Sequence, residues 1–267
     1  KIFKELVQVS AKPEMKELIR FIAVGLSGLV FYIGQVLQSL AKNSQYQNVL
    51  PRVCVGGNGA KLFHWLAAGQ FDKSVQAHRL FHVLLKEASG LSEELGLFEI
   101  SISPRPKCEA AFGLVVEGKT LARPENVEEN VLSGEDFTQD KNKRGWDSMI
   151  SADSFRAGLK VDEKLPQLRR FIDTFNAHAP KLMKMQPISD SEIPVIRTQM
   201  SQYLSERITR KSEEIRVEPL FIAEIKFLLE LLAARLREKK SCHSVLKVRM
   251  RGSLFFSFFF FFLVVAT

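Results

Sequence analysis

A glycine-rich turn between an apolar strand and a helix is the part of the sequence best suited to bind a ligand. It contains Gly56, Gly57, Asn58 and Gly59. Glycine lets the main chain turn sharply and lets a sugar or phosphate approach it closely, and the amides at a helix start favour negative charge. The side-chain amide of Asn58 can also hydrogen-bond a ribose or a base. These features suit a nucleotide-binding turn, for which Gly56, Gly57, Asn58, Gly59 and Lys61 are the candidate residues.

The same turn also has a purely structural interpretation. The spacing of its glycines fits neither the GxGxxG pattern of dinucleotide-binding folds nor the GxxxxGK[ST] pattern of phosphate-binding loops. A tight connection between a strand and a helix uses glycine for its conformation alone, and Asn58 can simply adopt a left-handed conformation there. Taken alone, the segment leaves both interpretations open.

Several predicted elements surround the turn and would position it. Apolar, β-prone runs predict strands at residues 52–55 and 98–103. Helices are predicted at residues 15–42, at residues 60–66 and, in a stretch rich in small side chains, at residues 106–114. The turn would therefore lie directly between the first strand and the second helix.

This order of elements resembles the C-terminal lobe of the superfamily of actin, sugar kinases and DnaK-like heat-shock chaperones. In that superfamily a long helix leads into a strand that ends in a GG-containing turn, the adenosine motif, and a helix follows. The resemblance covers residues 1–120 and implies an α/β fold, the actin-like ATPase (ribonuclease H-like) C-terminal lobe. It implies ATP as the ligand, with Gly56, Gly57, Asn58, Gly59 and Lys61 on the adenosine side of the cleft.

The phosphate-handling residues of that superfamily have no counterpart in this sequence. Its N-terminal lobe carries an Asp-x-Gly loop and further carboxylates that act on the phosphates, the metal ion and the attacking water. No Asp-x-Gly occurs in the 267 residues. We therefore expect a fragment of a longer ATP-binding protein, an ATPase, a kinase or a chaperone, that is inactive alone and binds Mg²⁺ only together with the missing lobe.

Neither charge nor histidine spacing suggests another chemistry. The net charge is +8, but the five basic residues after Glu238 leave only +3 for residues 1–238, so we do not expect nucleic-acid binding. His78 and His82 have the i, i+4 spacing of helical metal ligands, but no third ligand is evident nearby. We assign neither a metal site nor a catalytic residue.

Cysteine usage indicates the cellular compartment. Cys54, Cys108 and Cys242 lie far apart and form no CxxC pattern, which argues against a zinc site and against a disulfide framework. A reducing cytoplasm fits best. We interpret Cys54 and Cys108 as packing residues.

The sequence of the long first helix also fits a membrane-spanning helix. Residues 21–34 carry no charge, and with the flank to Leu40 the stretch reaches the length of a spanning helix. Its small residues, Ala23, Ser27 and Gly34, predict close packing against a sheet, and central burial also explains a helix that is apolar all round. We favour the buried helix of a soluble protein over a membrane anchor.

Residues 121–240 are predicted to be a mainly helical elaboration packed on the first lobe. Apolar spacing predicts helices at 165–179, interrupted by Pro180 and Pro187, at 194–213 and at 219–238. The last has a broad apolar stripe that we assign to the core. Residues 119–143 are predicted to be mainly loop, with short strands at 113–118 and 130–132.

The tail, residues 241–267, is basic and then low in complexity. It contains seven phenylalanines within the eight positions from Phe255 to Phe262, a composition that reading a T-rich tract in the wrong frame would produce. We assign it no function. The alternative to an ATP-cleft fragment is a non-catalytic interaction module that binds a protein partner through residues 121–240, and a membrane-anchored protein is a third, less favoured interpretation.

Overall fold

A computed structural model describes residues 13–41, 52–56, 59–67, 71–90, 99–103, 149–150, 165–209, 218–238 and 263–266. Six helices and five short strands lie in these ranges. In chain order they are α1 (Pro13–Ala41), β1 (Arg52–Val55), α2 (Ala60–Leu66), α3 (Gln76–Ser89), β2 (Glu99–Ile102), β3 (Met149–Ile150), α4 (Pro166–Met183), α5 (Glu192–Thr209), β4 (Glu218–Pro219), α6 (Leu220–Glu238) and β5 (Leu263–Ala266). The described chain is mostly helical with a small parallel strand pair, which agrees with the predicted α/β class in its coarse form.

Parallel pairing of β1 and β2 organises the first half of the chain. Val53 lies opposite Ile100 in this pair, and both side chains are buried. Parallel strands need a crossover connection, and the chain between them includes α2 and α3. On the other side of β1, the last strand, β5, pairs in the antiparallel sense, so that the sheet order is β2-β1-β5. A separate two-residue pair joins β3 to β4.

Helix α1 is apolar because neighbouring elements cover it. Among the described residues it is the one helix long and apolar enough to cross a membrane, over Met15–Gln38. Of its most apolar stretch of 18 residues, 78% is buried inside the protein. A Cβ added to Gly34 would lie 2.6 Å from the Cβ of Ala88 on α3, and one added to Gly28 would lie 3.0 Å from Ile225 on α6. The prediction that Gly34 packs against a sheet is therefore wrong: its neighbour is a helix.

Aromatic side chains join the second half of the chain to α1. The ring of Phe31 on α1 lies 5.6 Å from that of Phe171 on α4 and 5.8 Å from that of Phe221 on α6, between ring centroids. Phe171 and Phe221 are themselves 6.1 Å apart. All three are fully buried. The described helices of residues 121–240 thus share one apolar core with α1 and α3.

Most element positions agree with the sequence-based predictions, with one clear error. The helices predicted at 15–42, 60–66 and 219–238 and the strands at 52–55 and 98–103 are confirmed to within two residues. Pro180, however, does not interrupt α4, which continues to Met183. Leu182 and Met183 pack against the core, and this burial offsets the hydrogen bond that proline removes. Pro187 lies in the connection between α4 and α5.

Some predictions fall outside the described residues. These are the helix at 106–114, the loop at 119–143, the short strands at 113–118 and 130–132, and the environments of Cys108 and Cys242. Within the tail, β5 is described. Its residues Leu263, Val264 and Val265 have the branched, apolar character of strand residues.

Candidate functional site

The predicted nucleotide turn connects β1 to α2. Gly56 follows the last residue of β1 and is buried. Gly59 has φ −63° and ψ −28°, and its carbonyl accepts a hydrogen bond of 3.0 Å from the amide of Leu62. Because any residue can adopt this helical conformation, the backbone of Gly59 does not require glycine. Gly57 and Asn58 lie outside the described residues.

The turn begins at the edge of the sheet where β1 and β2 both end. The amide of Ser103, just after β2, donates a hydrogen bond of 3.0 Å to the carbonyl of Val55, the last residue of β1. The two parallel strands therefore end side by side, and the chain continues from β1 into the turn at this point. In open α/β sheets, ligands bind outside the carboxyl ends of the strands.

Aromatic packing fixes α2 behind the turn. Phe63 is buried, and its ring centroid lies 5.5 Å from that of Phe71 and 5.1 Å from that of Phe81 on α3. Lys61 is exposed. The helix is short, with seven residues, and Gly59 offers no side chain to cap it, so that the amides of Ala60 and Lys61 can donate to a ligand.

The sheet carries a polar contact between its two parallel strands. The thiol of Cys54 and the hydroxyl of Ser101 are 3.3 Å apart, in partly buried surroundings. These residues are direct partners in the register of β1 and β2. Cys54 is a free thiol. Its part in joining the strands was not predicted, because only the pairing register identifies Ser101 as its neighbour.

His78 is buried within an aromatic cluster, and its partner at i+4, His82, lies beside it. The ring of His78 lies 5.0 Å from that of Phe71 and 6.4 Å from that of His82, between centroids. An N–H of His78 is directed to the backbone carbonyl of Ile100 on β2. Burial lowers the pKa of His78, and the nearby His82 and Lys73 lower it further. Within the described ranges, no group of three His, Cys, Asp or Glu residues could hold a metal ion.

A buried ion pair that the sequence did not predict lies at the start of α5. The carboxylate of Glu192 accepts a hydrogen bond from Arg235 on α6, and the carboxylate is fully buried while the Arg235 side chain is half-exposed. Burial raises the pKa of Glu192, whereas Arg235 and Arg20 oppose that shift. Arg20 on α1 donates hydrogen bonds of 3.0 and 2.7 Å to the carbonyls of Gln186 and Pro187. A lone Glu near a helix start gives no sequence signal for such burial.

The groups of the turn and of α2 define which ligand this segment can bind. The segment from Gly56 to Leu66 supplies main-chain amides and the ammonium group of Lys61, which suit a polar or anionic ligand. It contains no carboxylate, and phosphoryl transfer relies on carboxylate-held metal ions and a positioned nucleophile. The groups of this segment are therefore suited to binding a ligand. Comparison of the chain with protein-family models, curated proteins and solved structures finds no match.

Proposed function

We propose that the turn from Gly56 to Gly59 contacts the adenosine of ATP, in a protein of the actin, sugar kinase and DnaK-like ATPase superfamily. The observation that carries this proposal is the position of the turn, between a parallel strand and a helix at the carboxyl edge of the β1–β2 pair. This is where nucleotides bind in open α/β sheets. The chain contributes the adenosine side of the cleft, and we assign no residue in it to catalysis or to Mg²⁺.

Each candidate residue has a distinct part in this proposal. Gly56 is buried and brings the chain out of β1 close to the sheet. Gly59 has a backbone conformation open to any residue, so its value would be the space that a missing Cβ leaves for the nucleoside. The exposed ammonium group of Lys61 would attract the phosphates, and the amide of Asn58 would hydrogen-bond the ribose or the base.

The rival interpretation, an interaction module that binds a protein through residues 121–240, has less support. The apolar stripes of α4 and α6 are buried in the shared core and are not free to bind a partner. Among the described residues, Val195 is the exposed large apolar side chain, at 44%. Isolated apolar side chains of this kind are ordinary on protein surfaces.

The proposal extends to the setting of the protein. We infer a cytoplasmic protein, supported by the free thiol of Cys54. The burial of α1 supports a core helix over a membrane anchor. Nucleic acid is not among the proposed partners, because the charge of residues 1–238 is close to balanced.

Titration of the chain with a fluorescent ATP analogue tests the proposal. We expect adenosine to displace the analogue and inorganic phosphate not to, because all the proposed contacts except that of Lys61 are to the nucleoside. Gly57→Val should weaken binding at least tenfold, a loss of about 1.4 kcal/mol. Gly59→Ser should weaken it too, although serine is a preferred residue before a helix and should leave the melting temperature unchanged or higher.

Two lysine variants provide a matched control for charge. Lys61→Ala should lower the affinity for ATP and not for adenosine. Lys181→Ala removes an exposed lysine on a different helix, α4, and should change neither affinity. Binding of ATP with equal affinity by the wild type, Gly57→Val and Gly59→Ser would refute a ligand at this turn. Failure of the wild-type chain to bind ATP or adenosine at millimolar concentration would refute it as well.

A further inference from the structure

The first two turns of α3 carry two histidines one helical turn apart. His78, the third residue of α3, is 4% exposed and directs an N–H to the carbonyl of Ile100 on β2. The ring of His82 lies nearly parallel to it, at 18° and 6.4 Å between centroids. We propose that this histidine pair makes a pH-sensitive contact: the buried ring of His78 keeps the start of α3 packed against Phe71 at neutral pH, and acidification loosens that packing.

The surroundings of His78 favour its neutral form. The Phe71 ring lies 5.0 Å away, and Phe71 also packs against Phe81 at 5.9 Å, so a charge on His78 would face apolar rings rather than water. The position near the start of α3 is also unfavourable for a cation, because the amides there carry partial positive charge. Burial accordingly lowers the pKa of His78.

The charged groups around His78 act in both directions, and the unfavourable ones dominate. His82 and Lys73 lower the pKa of His78, while Asp72 raises it by a smaller amount. Asp72 is partly exposed, and its carboxylate already accepts hydrogen bonds from the amide and hydroxyl of Ser74. From β2, the carbonyl of Ile100 faces His78 and raises its pKa, by the smallest amount of these groups.

The start of α3 is where release would begin. Val75 precedes the helix and forms no side-chain cap, so the first turn is held by backbone hydrogen bonds and by packing. The later turns of α3 are packed more tightly, because Leu84, Leu85 and Ala88 are buried against the rest of the core. Protonation would therefore free the first turn of α3, which contains His78, before the rest of the helix, and would separate it from Phe71.

The direction of the pH effect follows from the lowered pKa. A histidine whose pKa is lower in the folded state than in the unfolded chain contributes its full stability above the unfolded value of 6.5. That stability is lost as the pH falls from 6.5 through the folded pKa, at up to tenfold in the folding equilibrium constant per pH unit for one proton. The proposal does not depend on nucleotide binding.

Two measurements on the full chain test this contact. NMR titration of the histidine rings should give His78 a midpoint below 6.5. Hydrogen exchange at pH 7.5 and pH 5.0, expressed as protection factors to remove the intrinsic pH dependence, should show a larger loss of protection in the first turn of α3 than in α4. His78→Phe should remove this difference, and His178→Phe, a histidine on α4, should retain it.

Each result bears on the proposal in a defined way. A His78 midpoint at or above 6.5 would overturn it, and so would equal loss of protection in α3 and α4. Retention of the full pH-dependent loss by His78→Phe would also overturn it. If His78→Phe does not fold, the titration and exchange of the wild-type chain decide the matter on their own.

Discussion

Replacing Gly34 by alanine tests how closely α1 approaches α3. The added Cβ would lie 2.6 Å from the Cβ of Ala88 and 2.8 Å from the carbonyl oxygen of Leu85. Both distances are shorter than a real Cβ contact, and the carbonyl belongs to the backbone of α3, which cannot rotate away. The substitution therefore requires the two helices to separate.

The magnitude follows from two opposing effects. Alanine in place of glycine inside a helix gains about 1 kcal/mol from backbone propensity, while overpacking a core costs about 1–3 kcal/mol. Because backbone blocks the new methyl group of Gly34→Ala, we expect a cost near the top of that range and a net destabilisation of about 1–2 kcal/mol. This corresponds to a fall in melting temperature of roughly 2–8 °C for a chain of this size.

Gly28→Ala is the matched control. The three atoms nearest to its Cβ would all belong to the side chain of Ile225, at 3.0 to 3.1 Å, and a side chain can adjust where backbone cannot. The gain in helix propensity should then roughly offset the cost, and stability should stay within about 1 kcal/mol of the wild type. Urea unfolding followed by circular dichroism measures both variants under the same conditions.

A double-mutant cycle locates the clash. Combining Gly34→Ala with Ala88→Gly removes the contact between the two Cβ atoms and leaves the one with the Leu85 carbonyl. The pair should therefore show a favourable interaction energy of about 0.5–3 kcal/mol without full recovery of stability. If Gly34→Ala alone proves as stable as the wild type, the close contact between α1 and α3 does not exist.

Three further predictions concern polar contacts in the second half of the chain. Arg235→Ala leaves the buried Glu192 carboxylate unpaired and should lower the free energy of unfolding by about 1–2 kcal/mol, less than for a fully buried pair because Arg235 is half-exposed. Since burial raises the pKa of Glu192, ionisation of its carboxyl lowers stability as the pH rises from the unfolded value of 4.5 through the folded pKa. Glu192→Gln should therefore be at least as stable as the wild type at pH 7 in urea unfolding, and the difference should shrink as the pH falls toward 4.5. Lower stability of Glu192→Gln at pH 7 would refute this. The side chain of Asn176 donates to the Ile188 carbonyl at 2.8 Å and accepts from its amide at 2.7 Å, so Asn176→Ala should cost about 2–3 kcal/mol of unfolding free energy. Asn176→Asp keeps only the acceptor, and its stability should lie between those of the wild type and Asn176→Ala. Equal stability of the wild type and both variants would contradict the contact.

Local sequence patterns predicted the elements well where one signal dominated. The apolar stripe of α6 is buried along its described length, including Phe221, Leu228 and Leu236, as its spacing predicted. The strand, turn and helix of the candidate site lie next to one another in sequence, so their order could be predicted. Their relation to β2 could not, because strand pairing is a long-range property that no local pattern contains.

Tertiary packing overrode local signals elsewhere. Proline normally ends a helix, yet α4 continues past Pro180 because Leu182 and Met183 reach the core. Similarly, nothing near Glu192 indicates that its carboxylate is buried against Arg235, which is 43 residues away in sequence. Such contacts depend on which helices become neighbours, and that is decided by the whole chain.

The character of α1 shows why hydropathy alone could not distinguish a core helix from a membrane span. Gly28 and Gly34 are six positions apart, which separates them by about 120° around the helix axis, and each makes a close approach to a different neighbour, α6 and α3 respectively. A helix with close neighbours on two such faces must be apolar around most of its circumference, as a membrane helix is. The two interpretations differ in what the glycines do: in a lipid-exposed helix a single methyl group at Gly34 would meet only mobile acyl chains. A selective loss of stability in Gly34→Ala, absent in Gly28→Ala, therefore supports the core helix and its arrangement with α3 together.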